Sequence, residues 1–253
     1  MASFAYKRLD TFDNTELFSS ENENDYFPFH FHDHYCVSLI TNGTEILNNT
    51  SQEFIAPAGS ISITQVNEVH RNYSLEKPGY SYKTIYLNPD MLRYFNNNKT
   101  VAALQRVIYD ENLYNSLHLL FEAEITKVDD WKLSLRSLAK YTEMPCAETL
   151  WNNRFCIIDE IIEEHYTRVI DAEWLARQFC MSKFHFIREF KKAKGISPQA
   201  YILLYRLGKS KKMLAENATI KDIAYTNGFS DPSHFTNTFK KFFGVSPAKY
   251  LHL

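Results

Sequence analysis

A chain of 253 residues is long for one small domain and sufficient for two, each able to bury its own core without disulfides or metal. Its four cysteines, Cys36, Cys146, Cys156 and Cys180, form no C-x-x-C pair, which excludes a zinc knuckle or a secreted disulfide framework and leaves small buried residues in a reducing compartment. The net charge of −2 hides an asymmetry: residues 1–153 hold 12 Lys+Arg against 20 Asp+Glu (−8), and residues 154–253 hold 16 against 10 (+6), so only the back of the chain is suited to a polyanion.

In chain order, residues from about 27 to 87 read as strands. Phe29, Phe31, Val37, Leu39, Ile61 and Ile63 alternate with polar neighbours at period two. Asn42-Gly43, Asn48-Asn49, Pro57-Ala58-Gly59 and Lys77-Pro78-Gly79 punctuate them as turns, a spacing that suggests a small barrel or sandwich. Beyond Pro89 the period becomes helical over 100–109, 113–127 and 131–141, with Leu117, Leu120, Phe121 and Ile125 on one stripe. These helices are expected to pack on the barrel and offer a dimer surface. The stretch from Tyr141 to Asn153, containing Pro145, reads as the joint between a front domain over 1–145 and a helical domain over 150–253. No charged-then-apolar leader opens the chain and no apolar run approaches the ~20 residues that span a bilayer, so a soluble cytoplasmic protein without a membrane partner is expected.

The back half repeats itself. His185-Phe186, Phe190-Lys191-Lys192, Gly195-Ile196-Ser197-Pro198 and Tyr201 recur 49 residues later as His234-Phe235, Phe239-Lys240-Lys241, Gly244-Val245-Ser246-Pro247 and Tyr250. Upstream, Leu175-Ala176 matches Ile223-Ala224 with one residue of slippage. Such self-similarity marks one supersecondary unit used twice. Each copy reads as helix, turn, helix. Asp171 caps a helix to about Phe179, and Ser182 caps a second over 183–193 that ends at Gly195. Thr219 opens a helix that stops at Gly228, and Asp231 with Pro232 opens the next, which ends at Gly244. Phe186 with Phe190, and Phe235 with Phe239, sit four apart and face a small core.

The outward faces of the two second helices carry the chemistry. Phe184, Ile187, Arg188 and Lys191 share one side of the first, flanked by Lys183 and Lys192. Ser233, Thr236, Asn237 and Lys240 share the matching side of the second, flanked by His234 and Lys241. A helix in the major groove needs side chains that reach base edges and cations for the phosphates around them. Arg188 suits guanine, Asn237 adenine, and Phe184 and Ile187 thymine methyls. Between the copies, Ser197-Pro198 opens a helix to about Ala215, whose ~17 residues span roughly 25 Å. That length suits two readers in adjacent major grooves about 34 Å apart. A helical bundle solvated by lysines is the bland alternative, and the doubled motif with caps and glycines in phase argues against it.

The run Gly228-Phe229-Ser230-Asp231-Pro232-Ser233-His234-Phe235, followed by Phe239-Lys240-Lys241-Phe242-Phe243-Gly244-Val245-Ser246-Pro247, closely resembles the signature of AraC-type transcription regulators. Met181-Ser182 through Arg188, Gly195-Ile196-Ser197-Pro198 and Arg206-Leu207 resemble it too, so the likeness covers about 155–253. It implies a bipartite reader of double-stranded DNA that contacts RNA polymerase. Ile187 is less polar than is usual in that family, and Asn237 stands where arginine is frequent, which bears on the target sequence.

The front half resembles the cupin-like effector domain of the same family. The likeness rests on His30-Phe31-His32-Asp33-His34-Tyr35, Asn42-Gly43, Pro57-Ala58-Gly59 and Glu68-Val69-His70 over about 25–87. In a strand, residues 30, 32 and 34 fall on one face, which would line a barrel mouth with imidazoles opposite His70. Three readings stay open: a metal held by two of these histidines and His70, a small-molecule pocket anchored by His30, His32, Tyr35, Ser38 and His70, or ordinary strand histidines. The carboxylate that metal cupins carry four or five residues after H-x-H is replaced by Cys36, Val37, Ser38 or Leu39, so the pocket is preferred and neither metal nor cofactor is expected. No nucleophile with an oriented base, glycine-rich phosphate loop or paired carboxylates stands out. The whole reads as an α+β, non-enzymatic, homodimeric regulator answering to a small effector. Its rivals are control by a protein partner and a metal-dependent cupin enzyme with a DNA-binding tail.

Overall fold

The computed structural model describes residues 3–9, 15–24, 28–122, 128–143, 155, 157–216 and 218–251. The chain divides into two units, Met1–Pro145 and Cys146–Leu253. Of the expected joint over 141–153, residues 144–153 lie outside the described residues, as do Ile125, Cys146 and Cys156.

The first unit is built on strands β1 (Ser3–Leu9), β2 (Thr15–Glu23), β3 (Tyr35–Asn42), β4 (Thr44–Asn48), β5 (Glu53–Pro57), β6 (Ile61–Thr64), β7 (Arg71–Tyr73), β8 (Tyr80–Leu87), β9 (Ala103–Leu104), β10 (Val107–Ile108) and β11 (Thr142–Glu143). They form a six-stranded sheet in the order β1-β2-β8-β3-β6-β10, a three-stranded sheet β5-β4-β7 and the pair β11-β9. The predicted turns are where the chain changes sheet. After Asn42-Gly43 it leaves the large sheet for β4, and at Pro57-Ala58-Gly59 it returns, with Gly59 N–H donating to Ile40 O (2.8 Å) and Ala58 N–H to Gly43 O (2.9 Å). Asn49 closes the β4–β5 hairpin, its side-chain oxygen accepting from Gln52 N–H at 2.9 Å. The two sheets meet where Ile40, Ala56 and Tyr80 pack together.

The large sheet sorts its side chains by face. Tyr35, Val37 and Leu39 on β3 are cross-strand neighbours of Leu87, Ile85 and Ile63 or Ile61, and all join one apolar core. Helices α1 (Pro89–Phe95), α2 (Glu111–Glu122) and α3 (Val128–Leu138) close that core with Leu92, Leu117, Leu120, Trp131 and Leu135, each at most 1% exposed. Each such side chain contributes roughly 1.5–3 kcal/mol of burial.

Three expectations for this unit are corrected. The strands begin at Ser3, well ahead of residue 27. The stretch 100–109 is β9 and β10 rather than a helix. Val107 and Ile108 pair with Ser62 and Ile61 at the sheet edge, and the Gln65 amide mimics a neighbouring strand by accepting from Leu104 N–H (3.0 Å) and donating to Leu104 O (2.7 Å). Residues 30–34 are not a strand; only His30 pairs, through a bridge to His70.

The second unit is helical: α4 (Ile158–His165), α5 (Ala172–Gln178), α6 (Lys183–Lys194), α7 (Pro198–Ala215), α8 (Ile220–Thr226), α9 (Pro232–Phe243) and α10 (Pro247–Leu251). Asp171, Ser197, Thr219 and Asp231 cap through their side chains, whereas Ser182 sits at the N-cap of α6 without a side-chain cap bond. No helix among the described residues is long and apolar enough to cross a membrane.

Candidate nucleic-acid interface and effector face

The sequence repeat is a repeat of backbone geometry. α5-turn-α6 and α8-turn-α9 end on Gly195 and Gly244 in the left-handed conformation (φ 78° and 73°), whose N–H groups donate to Lys191 O and Lys240 O, both at 2.9 Å. The slippage has a location. Met181 N–H donates to Ala176 O and Phe229 N–H to Ala224 O, each at 2.9 Å and 48 residues apart. Downstream the offset is 49, so Ser230 is the additional residue in the second turn. The left-handed turn position is Gly228 (φ 70°) in the second copy and Cys180 (φ 53°) in the first. Cys180 is therefore exposed rather than buried, while Cys36 is buried.

Aromatic packing repeats as well. Phe190 contacts Phe186, Phe155 and Tyr201 with ring centroids 5.5, 5.3 and 5.5 Å apart. Phe239 contacts Phe235, Phe243 and Tyr250 at 5.6, 4.4 and 5.7 Å. With these faces inward, α6 turns Lys183, Phe184, Arg188, Lys191 and Lys192 to solvent and leaves Ile187 half-buried beside them. Phe184 is 83% exposed, which fits no packing role within the described fold. On α9, Ser233, His234, Asn237, Lys240 and Lys241 are exposed and Thr236 is half-buried. Arg188 is held over its own helix, Nη2 lying 3.0 Å from His185 Nδ1. The hydroxyl of Ser230 lies 3.3 Å from His234 Nδ1.

Sequence reasoning quoted Arg206 only as part of a likeness and missed its work. From the middle of α7 its guanidinium donates to three backbone carbonyls, Tyr166 O (2.9 Å), Arg168 O (2.7 Å) and Gly228 O (2.9 Å). It thereby ties the segment after α4 and the turn before α9 to the central helix. At 18 residues, α7 is about 27 Å long.

In the first unit, the inner face of the large sheet is polar. Cys36, Ser38, Ser62, Thr64 and Thr84 are buried there, cross-strand partners of one another, with Tyr86 opposite Cys36. The hydroxyls of Ser38 and Thr84 lie 2.7 Å apart. From β4, Glu45 accepts a hydrogen bond from Asn72 Nδ2 at 2.7 Å. Burial pushes its carboxyl above the usual range, and hydrogen bonding from Ser62, Asn72 and Tyr80 acts the other way.

The structure brings together only some of the expected pocket residues. His30, His32 and His70 converge, their ring centroids 4.4 to 5.3 Å apart, and His32 packs 5.4 Å from Tyr86. Burial pushes His30 and His70 below the usual imidazole range, His70 the further because His30 and Arg106 add repulsion. Ser38 lies on the same inner face as Tyr86, the ring on which His32 packs. Tyr35 does not join them. Three residues from Ser38, it falls on the opposite face of β3, in the apolar core, where its hydroxyl donates to Val101 O at 3.2 Å. His34 is turned away to Asp33, Nδ1 to Oδ1 2.6 Å, because residues 33–34 bend.

Comparison with known proteins agrees with this division. The family model described as an AraC-like ligand binding domain matches residues 14–134, and that of a helix-turn-helix domain matches residues 175–252. The HTH-type transcriptional regulator YbfI of Bacillus subtilis is 26% identical over 230 residues, covering 82% of this chain and 81% of that protein. The HTH-type transcriptional activator RhaS of Escherichia coli is 23% identical over 246 residues, 87% of this chain and 86% of its own. Among solved structures, ToxT from Vibrio cholerae O395 shares the fold at TM-score 0.58 and 17% identity, covering 99% of this chain and 97% of that one. Wild-type ToxT from strain SCE256, solved with an unsaturated fatty acid bound, gives TM-score 0.56 and 17% identity over 99% and 94%.

Proposed function

The chain belongs to the AraC family of transcription regulators, a helix-turn-helix protein with a ligand-binding N-terminal domain, and from that premise we propose that α6 and α9 enter successive major grooves of one duplex while the front unit takes a small polar effector. One observation carries the DNA reading. Two helices with the same left-handed glycine C-cap, the same buried phenylalanines and the same spacing each expose base-reading and cationic side chains on the face away from the core. Arg188 reads guanine through its planar fork, Asn237 reads adenine, and Phe184 with Ile187 meets thymine methyls. Ser233 and Thr236 lie on the same reading face, while Lys183, Lys191, Lys192, His234, Lys240 and Lys241 hold the flanking backbone. A connecting helix of about 27 Å suits grooves about 34 Å apart, the reading faces extending beyond its ends.

Two substitutions separate the roles. Arg188→Ala costs roughly 1–3 kcal/mol on the preferred site and relaxes one base position, with little change on random duplex. Equal losses on both, measured by fluorescence anisotropy, would remove Arg188 from base reading. Lys240→Ala weakens binding to every sequence alike and lowers the slope of log affinity against log salt by about one. An unchanged slope would take Lys240 off the phosphate backbone.

For the front unit, a thiol, hydroxyls, a carboxylate and imidazoles lining a buried face favour a polar effector rather than an acyl chain. Such an effector acts only by its differential affinity for two arrangements of the protein. Leu119 on α2 and Val128 and Leu133 on α3, at 59 to 67% exposure, supply apolar surface for a homodimer. Contact with RNA polymerase in the cytoplasm completes the proposed role. A thermal-shift screen of polar metabolites tests the effector. A true ligand raises the melting temperature with concentration and shifts affinity for the promoter; stabilisation without any change in DNA affinity or oligomeric state contradicts regulation through this face.

A further inference from the structure

We propose that His30, His32 and His70 form a site for one divalent transition-metal ion of the zinc class, with a fourth coordination position left open. One ligand nitrogen from each ring lies within 4.8 Å of the others. Tetrahedral ligands on zinc, at about 2.0–2.1 Å from the metal, are about 3.3 Å apart, so a small closure of the rings completes the set.

The backbone fixes where the rings start. His30 and His70 exchange both hydrogen bonds of an antiparallel bridge, at 2.9 and 2.8 Å, which pins the two side chains beside each other. Their tautomers are fixed too. His30 Nδ1 lies 2.9 Å from Pro28 O and His70 Nδ1 lies 2.9 Å from Glu68 O. A carbonyl oxygen only accepts, so each Nδ1 carries the proton and each Nε2 carries the lone pair. Metal-ligating histidines are oriented in the same way, by a backbone carbonyl or carboxylate on the far nitrogen. Glu68, two residues before His70, is ion-paired to Arg106, and Asp33, next to His32, is turned to His34, so both stand outside the set.

The missing carboxylate that argued against metal in the sequence does not decide the matter. Three neutral imidazoles hold zinc by themselves and leave a position for water or another donor. Imidazole sites accept zinc, copper, iron or nickel, and soft thiolate chemistry is not required. An effector donating an oxygen or nitrogen to the open position would couple this site to the proposed regulation. That last step rests on the effector reading, while metal capture does not.

The test uses untagged full-length protein stripped with a chelator and titrated with cobalt(II), then displaced with zinc(II). Wild-type protein is expected to take up one equivalent with the intense visible absorption of tetrahedral cobalt, lost on adding zinc. His32→Ala is expected to weaken cobalt binding by at least about 100-fold, and His34→Ala, which changes a ring outside the cluster, to bind as wild type. Circular dichroism of each variant separates loss of a ligand from loss of fold, and His32→Gln replaces His32→Ala if the latter unfolds. No saturable uptake by wild type, or equal uptake by a folded His32 variant, overturns the site. Neither result bears on effector binding, which the thermal-shift screen reads without added metal.

Discussion

Truncation of Phe239 to alanine is expected to lower the stability of the second helix-turn-helix copy by about 3–5 kcal/mol, the range for a fully buried aromatic side chain. The ring has no exposed surface and stands between Phe235, Phe243 and Tyr250, so its removal leaves a cavity bounded by three other aromatics. Those neighbours belong to α9 itself and to α10, and their collapse would shift the face that carries Asn237 and Lys240. Hydrogen exchange of α9 amides in the full-length protein measures the effect locally, which a global melt of a two-unit chain does not. Protection is expected to fall by two to three and a half orders of magnitude, about 1.4 kcal/mol for each factor of ten. A change of less than tenfold would mean that Phe239 is not the keystone of that small core.

Replacing Arg206 by methionine is expected to cost about 2–4 kcal/mol, because three backbone carbonyls lose a charged donor at once. Burial already pulls its guanidinium below the usual range, a sign that it serves the fold rather than the solvent. The distinguishing variant is Arg206→Lys. A lysine keeps the positive charge but has no planar fork to reach Tyr166 O, Arg168 O and Gly228 O together. It should therefore lose nearly as much stability and nearly as much sequence preference as the methionine variant. If Arg206→Lys binds DNA like wild type while Arg206→Met does not, the residue acts as a general cation and the clamp has no part in holding the readers.

Much of the second unit was legible because its signals are local. Asp171, Ser197, Thr219 and Asp231 each cap the helix that the residue type predicts, and Gly195 and Gly244 end α6 and α9. Repetition then doubled every signal. Arg206 was not legible, since an arginine in a helix says nothing of three carbonyls that come from segments 22 to 40 residues distant. Cys180 was misplaced for a related reason: only alignment of the two turns with the extra Ser230 shows that it stands where the other copy has Gly228.

In the first unit, β3, β6 and the turns could be read from period-two alternation, and the long-range pairings could not. β1 is an edge strand held by β2 alone, and its sequence carries little apolar alternation. The stretch 100–109 had apolar residues at helical spacing, yet β6 and Gln65 offered them hydrogen bonds that a helix there would forgo. α1 was missed although Asn88-Pro89 announces it, the Asn88 side chain accepting from Asp90 N–H at 2.9 Å. Among the histidines, identity was visible and arrangement was not. Residues 33–34 bend instead of extending, so His34 leaves the group, while Tyr35 enters β3 on its apolar face.

Selection from a pool of random-sequence duplexes by the full-length protein tests the central claim most directly. Two short preferred segments one helical turn apart, about 10–10.5 base pairs centre to centre, are the expected outcome, with Arg188→Ala blurring one segment and Asn237→Ala the other. Enrichment of no sequence over bulk duplex, with and without cell extract as a source of effector, would contradict the reading of α6 and α9 as a paired DNA-recognition element.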